Sequence, residues 1–162
     1  MTTPTSLQPL FKRVAQQDRH DDLLAVIATL SSKPLDTVYQ QAETLGMPKI
    51  GPFYPWLDET LLGKLLAANN LKGGAWKPCT SYTELPEIAI VMTDYHTDWE
   101  VGRCVLYHRN TGQDGKSAQP YVIDPYPHAD SKLYLRSGVG DIAKLRPAWY
   151  VGVTELYRDA KG

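Results

Sequence analysis

Asp21-Asp22-Leu23-Leu24-Ala25-Val26-Ile27-Ala28-Thr29-Leu30 is the stretch that decides the fold of this 162-residue chain. Its apolar residues fall on every side of a helix, which is typical of a helix buried on all faces. The two acids stand where the free N–H groups and the dipole of a helix stabilise negative charge. We therefore predict a buried helix from Asp21 or Asp22 to about Ser31, with an anion site at its amino end.

Helical patterns flank this stretch on both sides. Apolar residues at helical spacing predict a short amphipathic helix over residues 7–14. A third helix opens at Pro34 and closes at Gly46. Its predicted inward residues are Val38, Tyr39, Ala42 and Leu45. Asp58 caps a fourth helix, which ends at Lys72-Gly73-Gly74 and whose leucines are Leu61, Leu62, Leu65 and Leu66.

The apolar pattern after the helices is that of strands. The predicted strands are 88–92, 101–107, 121–124 and 149–157, with a turn over 110–115 between the second and the third. Helices that precede an antiparallel sheet indicate the α+β class. We predict one domain over residues 1–162, with an antiparallel sheet of about four or five strands.

The composition excludes several classes of protein. The net charge of −1 and the lack of a basic stripe argue against a nucleic-acid partner. The longest apolar run, 23–30, is too short to span a bilayer, so no membrane association is predicted. Cys79 and Cys104 have no metal-type spacing, which favours reduced thiols, a cytoplasmic location and no cofactor. The oligomeric state is not predicted.

Three short motifs occur in the order of a papain-type hydrolase. Gln16 lies six residues before Asp22, which opens the buried, alanine-containing helix. The strand Gly102-Arg103-Cys104-Val105-Leu106 follows, and then Val122-Ile123-Asp124-Pro125 ends the next strand. Over roughly residues 10–125 the chain resembles the bacteriocin-processing branch of the papain-like cysteine peptidases, which are bacterial enzymes. The resemblance implies a papain-like fold, with a cleft between the helices and the sheet.

The resemblance also implies a degenerate catalytic site made of Gln16, Asp22, Arg103 and Asp124. Asp22 stands at the position of the nucleophilic cysteine, and Arg103 stands at that of the histidine base. Asp22 and Arg103 are then expected to form a buried ion pair, with Asp124 nearby as a second carboxylate. On this basis we predict a catalytically inactive domain that binds a peptide or protein segment in the cleft. A plain pair of N-terminal capping acids would give the same pattern at the helix start.

An active hydrolase is the alternative prediction. Asp94, His96, Asp98 and Glu100 cluster in a predicted loop between two strands. A histidine with nearby carboxylates can hold a metal-bound water or act in acid–base catalysis. His96 is the alternative base, and the attacker would be the metal-bound water or Cys79, which is expected in a loop. Cys104, in the middle of a strand, is expected to be a small core thiol.

Aromatic side chains are the predicted binding surface. The segment 51–56 combines prolines with aromatic residues, and this rigid backbone would hold a peptide at low entropic cost. Filling space between the helices and the sheet is the other interpretation of this segment. The predicted binding residues are Tyr54, Trp56, Trp99 and Tyr126.

Overall fold

The structure, a computed structural model, describes residues 14, 22–47, 59–73, 75–96, 101–111, 118–125, 135–137 and 146–155. Its helices are α1 (Asp22–Ser31), α2 (Leu35–Thr44) and α3 (Glu59–Ala67), and a 3-10 turn covers Tyr82–Glu84. Its strands are β1 (Leu71–Gly73), β2 (Lys77–Pro78), β3 (Ile88–His96), β4 (Val101–Thr111), β5 (Ala118–Ile123), β6 (Leu135–Ser137) and β7 (Pro147–Glu155). The helix predicted over residues 7–14 lies outside this range except for Val14.

Helix α1 is the centre of the core. Every residue from Leu23 to Leu30 is buried, including Thr29, whose hydroxyl donates to the Ala25 carbonyl at 2.9 Å. The same hydroxyl accepts a hydrogen bond from the Val14 N–H at 2.9 Å, which ties Val14 to the helix. The predicted bounds of this helix and its burial on all faces are therefore confirmed.

Helices α2 and α3 belong to the same core cluster as α1 and differ from the prediction at their carboxyl ends. Leu45 was expected to face inward, but α2 ends at Thr44 and the Leu45 side chain is 36% exposed. Gly46 closes this helix with a φ of +111°, a conformation that glycine adopts without steric cost. Helix α3 ends at Ala67, earlier than expected, because a turn ending at Asn70 leads into β1. The predicted cap Asp58 lies outside the described residues.

The sheet is antiparallel in every described pairing. Its strand order is β1-β7-β3-β4-β5-β6, and β2 also pairs with β7. The four predicted strands correspond to β3, β4, β5 and β7, and the described residues add three short strands, β1, β2 and β6. Asn110 and Thr111, assigned to a turn by the sequence, extend β4.

Both faces of the sheet are covered. The helices pack on one face, against a cluster whose strand residues are Leu71, Ile90, Cys104, Leu106, Tyr121, Ile123, Val151 and Val153. The segment that follows β2 packs on the other face, in a smaller cluster of Cys79, Leu85, Ala89, Val91, Val105, Tyr107 and Val122. The fold is α+β, as the sequence predicts. None of the helices in the described ranges is long and apolar enough to cross a membrane.

Candidate functional site

The amino end of α1 meets β4 at one end of the sheet. The Asp22 carboxylate accepts a hydrogen bond from the backbone N–H of Cys104, with 2.5 Å between Oδ2 and N. Strand β5 pairs with β4 from Leu106 to Thr111, and this ladder stops short of Cys104. The carboxylate therefore takes the place that a strand carbonyl would occupy. The helix end and the strand face each other, as the sequence predicts.

The Asp22 carboxylate lies in a largely buried environment. Burial raises its pKa above the ordinary value of 3.8. Hydrogen bonds from the N–H groups of Cys104, Asp22 itself and Leu23, and the charge of Arg103, offset part of this effect on the pKa. The last two N–H groups belong to the first turn of α1, so the helix terminus contributes directly to holding this anion.

The Cys104 thiol shares this environment. It is buried on the helix side of the sheet, and its side chain forms a hydrogen bond with Asp22. Burial first, then the charge and hydrogen bond of Asp22, raise the pKa of the thiol well above its ordinary value of 9.0. Cys104 is therefore protonated at neutral pH and donates to the carboxylate.

An ion pair between β4 and the residue that follows β5 lies beside this contact. Arg103 Nη1 donates to both carboxylate oxygens of Asp124, at 3.0 Å for Oδ1 and 2.9 Å for Oδ2. The Asp124 side chain is 6% exposed, whereas that of Arg103 is 40% exposed. A part-exposed guanidinium therefore covers a nearly buried carboxylate. Asp22, Arg103, Cys104 and Asp124 are called the helix–strand site below.

Strand geometry separates Arg103 from Cys104. Successive side chains point to opposite faces of a sheet. Cys104 shares its face with Leu106 in the helix-side cluster, so Arg103 shares the other face with Val105. The expected Asp22–Arg103 ion pair is thus replaced by two contacts, Arg103 with Asp124 and Asp22 with Cys104. Arg103 still lowers the pKa of Asp22 through its charge.

The residues predicted for the alternative hydrolase, His96 and Cys79, lie on different parts of the fold. His96 is not in a loop but is the last residue of β3, where it lies opposite Val101; the structure does not describe its side chain. Cys79 follows β2, but it is buried rather than exposed, and burial first, then Glu84, raises the pKa of its thiol. Among the described residues, no cluster of three metal-binding side chains is present.

Other predicted site residues lie outside the described part of the chain. These are Gln16, Tyr54, Trp56, Trp99 and Tyr126.

The comparisons with known proteins show a fold but no family. No family model matches the chain, and no curated protein matches it. Among solved structures, the chain is similar to a double glycine motif protease from an AMS/PCAT transporter, determined in complex with the leader peptide. The two are 11% identical, the match covers 93% of this chain and 96% of that chain, and the TM-score is 0.56. The two chains share a papain-like fold.

Cys104 is the site residue whose contact the sequence did not predict. Its strand is apolar on both faces, so period-two alternation does not indicate which residues face the helices. The resemblance put the catalytic base position at Arg103, one residue before Cys104. A shift of one residue along a strand moves every side chain to the other face of the sheet. Cys104 lies in the helix-side cluster and its side chain forms a hydrogen bond with Asp22, so Cys104 rather than Arg103 faces the helix.

Proposed function

We propose that this chain is a catalytically silent papain-like domain that binds an extended peptide or protein segment between α1 and the sheet. The observation that carries the proposal is the Asp22–Cys104 contact at the amino end of α1. A cysteine peptidase needs a thiolate at this helix end, because the thiolate is the attacking form and the helix N-terminus stabilises it. Here the helix end holds a carboxylate, and the thiol stands opposite it on the strand.

The protonation states in the helix–strand site favour a lack of catalytic activity. Cys104 keeps its proton because it is buried beside the negative charge of Asp22, so it is a poor nucleophile. Arg103 cannot act as a general base, because a guanidinium stays protonated in proteins. Asp124 is paired with that guanidinium. The four residues of the site include no imidazole, the group that in a cysteine peptidase takes the proton of the thiol and returns it to the leaving group.

Peptide binding is supported by the fold and by the exposure of Arg103. The solved structure with the same fold is in complex with the leader peptide. In the present chain, the Arg103 guanidinium is part-exposed at the end of the sheet, where the β4–β5 ladder stops. A guanidinium held by a carboxylate in this position is suited to donate hydrogen bonds to a peptide carbonyl or carboxylate, because its N–H groups are fixed in a planar fork.

A selection followed by a cleavage assay tests the proposal. A phage-displayed library of random peptides is selected on the immobilised full chain, and the affinity of an enriched peptide is measured by calorimetry. We expect Arg103→Ala to weaken this binding about tenfold, as loss of a charge-assisted hydrogen bond does. Arg109→Ala is the matched control, because Arg109 lies at the other end of β4, opposite Pro120.

The cleavage assay uses the same peptide and mass spectrometry. We expect the peptide to remain intact after prolonged incubation with the wild-type chain. Cleavage at a defined bond that Asp22→Ala or Cys104→Ala abolishes would refute catalytic silence. Failure of the library to yield any peptide that binds, or equal binding by Arg103→Ala and the wild type, would refute the proposed role of this site in peptide binding.

A further inference from the structure

A second site lies on the face of the sheet that the helices do not cover. A cavity of about 400 Å³ opens beside the pairing of β2 with β7. Its lining residues are Ala75, Lys77, Glu84, Leu85, Pro86, Tyr150 and Gly152. Leu85 belongs to the smaller core cluster, and Tyr150 packs against it. The cavity therefore lies on the face of the sheet opposite Asp22 and Cys104. The cavity is open to solvent, and its volume falls in the range of small-molecule sites.

Two hydrogen-bond donors converge on this cavity. Lys77 and Tyr150 are direct register partners in the antiparallel β2–β7 pair. Such partners project from the same face, with Cβ atoms about 4.5–5.5 Å apart. Neither side chain makes a hydrogen bond or an ion pair with another described residue. An ammonium and a phenolic hydroxyl that share a cavity wall form a recognition pair for a carboxylate.

The carboxylate of Glu84 places a negative charge in the same cavity as the positive charge of Lys77. Glu84 also lines the cavity, and the Thr80 hydroxyl donates to its Oε1 at 3.1 Å, which restricts the side chain. The cavity thus carries one cation and one anion on its polar side. A ligand that matches both groups has a carboxylate and an ammonium, whereas a multiply charged anion would be repelled by Glu84.

The remaining wall is apolar and depends on a glycine. Leu85 and Pro86 face the cavity together with Gly152, which follows Tyr150 by two residues and so shares its face of β7. A Cβ on Gly152 would lie 3.1 Å from the Pro86 Cγ, so a larger side chain there would take up the cavity space. An aliphatic group of a ligand fits this side.

We propose that this cavity binds a small zwitterion of the α-amino acid class with an apolar side chain. The carboxylate of the ligand accepts hydrogen bonds from Lys77 and Tyr150, and its ammonium pairs with Glu84. The aliphatic side chain contacts Leu85 and Pro86. This proposal is independent of the helix–strand site, because none of the residues of that site lines the cavity.

Calorimetry on the full chain with L-leucine tests the proposal. We expect L-leucine to bind, and N-acetyl-leucine and leucinamide each to bind at least about tenfold more weakly, because each lacks one of the two charges. Lys77→Met should cause a similar loss. Lys72→Met is the matched control, because Lys72 is also exposed on a short strand paired with β7 but lies outside the cavity.

Two further variants separate binding from folding. Tyr150→Phe removes only a hydroxyl and should weaken the binding of L-leucine several-fold, while Gly152→Val should abolish binding by filling the cavity. Circular dichroism and thermal unfolding establish that each variant is folded. The proposal is overturned if the wild type does not bind L-leucine, if N-acetyl-leucine binds as well as L-leucine, or if folded Lys77→Met binds L-leucine as the wild type does.

Discussion

Removal of the Asp22 side chain tests the role that we assign to the helix–strand contact. In Asp22→Ala, the buried N–H of Cys104 loses its acceptor, since β5 does not pair with this part of β4. A buried donor left without a partner costs about 1–3 kcal/mol. Loss of the acid in the first turn of α1 adds about 0.3–1 kcal/mol, and release of a carboxylate from a largely buried site offsets part of the sum.

The net effect is a loss of about 2 kcal/mol in the free energy of unfolding, from these opposing contributions. For a domain of this size, that loss lowers the melting temperature by about 4–8 °C. Urea unfolding followed by circular dichroism measures the free energy, and a thermal scan measures the melting temperature. Asp36→Ala is the control, because Asp36 stands in the first turn of α2 but is exposed. Its expected cost is below about 1 kcal/mol.

Asp22→Asn separates the hydrogen bond from the charge. The amide oxygen can still accept from the Cys104 N–H, so at neutral pH this variant should lie within about 1 kcal/mol of the wild type. Burial raises the pKa of Asp22 in the folded chain above 3.8. At pH values between 3.8 and this raised pKa, the folded chain therefore binds a proton at Asp22 that the unfolded chain does not bind. The wild type should therefore gain stability relative to Asp22→Asn as the pH falls through this window. If Asp22→Ala is as stable as Asp36→Ala and Asp22→Asn, the contact contributes nothing and our interpretation is wrong.

Three further predictions concern the packing and the titration of the core. In Gly73→Ala, the new Cβ would lie 2.4 Å from a leucine Cδ1 of α3, so we expect a loss of about 1–3 kcal/mol by urea unfolding. Gly63→Ala is the control, because nothing lies within 4 Å of its Cβ, and it should gain about 0.5–1 kcal/mol. Burial lowers the pKa of His108 below 6.5, so the wild type should lose stability as the pH falls through 6.5 toward that lower value, and His108→Gln should lose less in the same titration. Because Cys79 and Cys104 are both buried, a thiol-reactive probe followed by mass spectrometry should label them slowly in the folded chain and rapidly in urea; fast labelling of one thiol in the folded chain would contradict these placements.

The helical half of the fold was largely predictable because its signals are local. The run from Leu23 to Leu30 is apolar on every side of a helix, and such a helix has no place except a core. The end of α3 was not predictable in the same way. Asn70 adopts a φ of +60°, and the chain turns there into β1, a strand of three residues with no room for an alternating pattern.

The helix–strand site was predictable in its elements but not in its contacts. The order of motifs placed the start of α1, β4 and the end of β5 together, and the structure brings these elements to one end of the sheet. Which β4 side chain faces Asp22 depends on which residues of β4 point to the helix side of the sheet. Arg103 and Cys104 are adjacent in a strand that is buried on both faces, so hydrophobicity did not distinguish them.

Formation of an engineered disulfide is the measurement that most directly tests the central claim, that Cys104 faces the amino end of α1. In Asp22→Cys, the new thiol replaces a carboxylate that contacts Cys104, and mild oxidation should join the two sulfurs in the folded chain. The triple variant Asp22→Cys, Arg103→Cys and Cys104→Ser should not cross-link, because residue 103 points to the other face. Mass spectrometry of the oxidised, digested protein identifies the bond. A cross-link in the triple variant with none in Asp22→Cys would contradict the account.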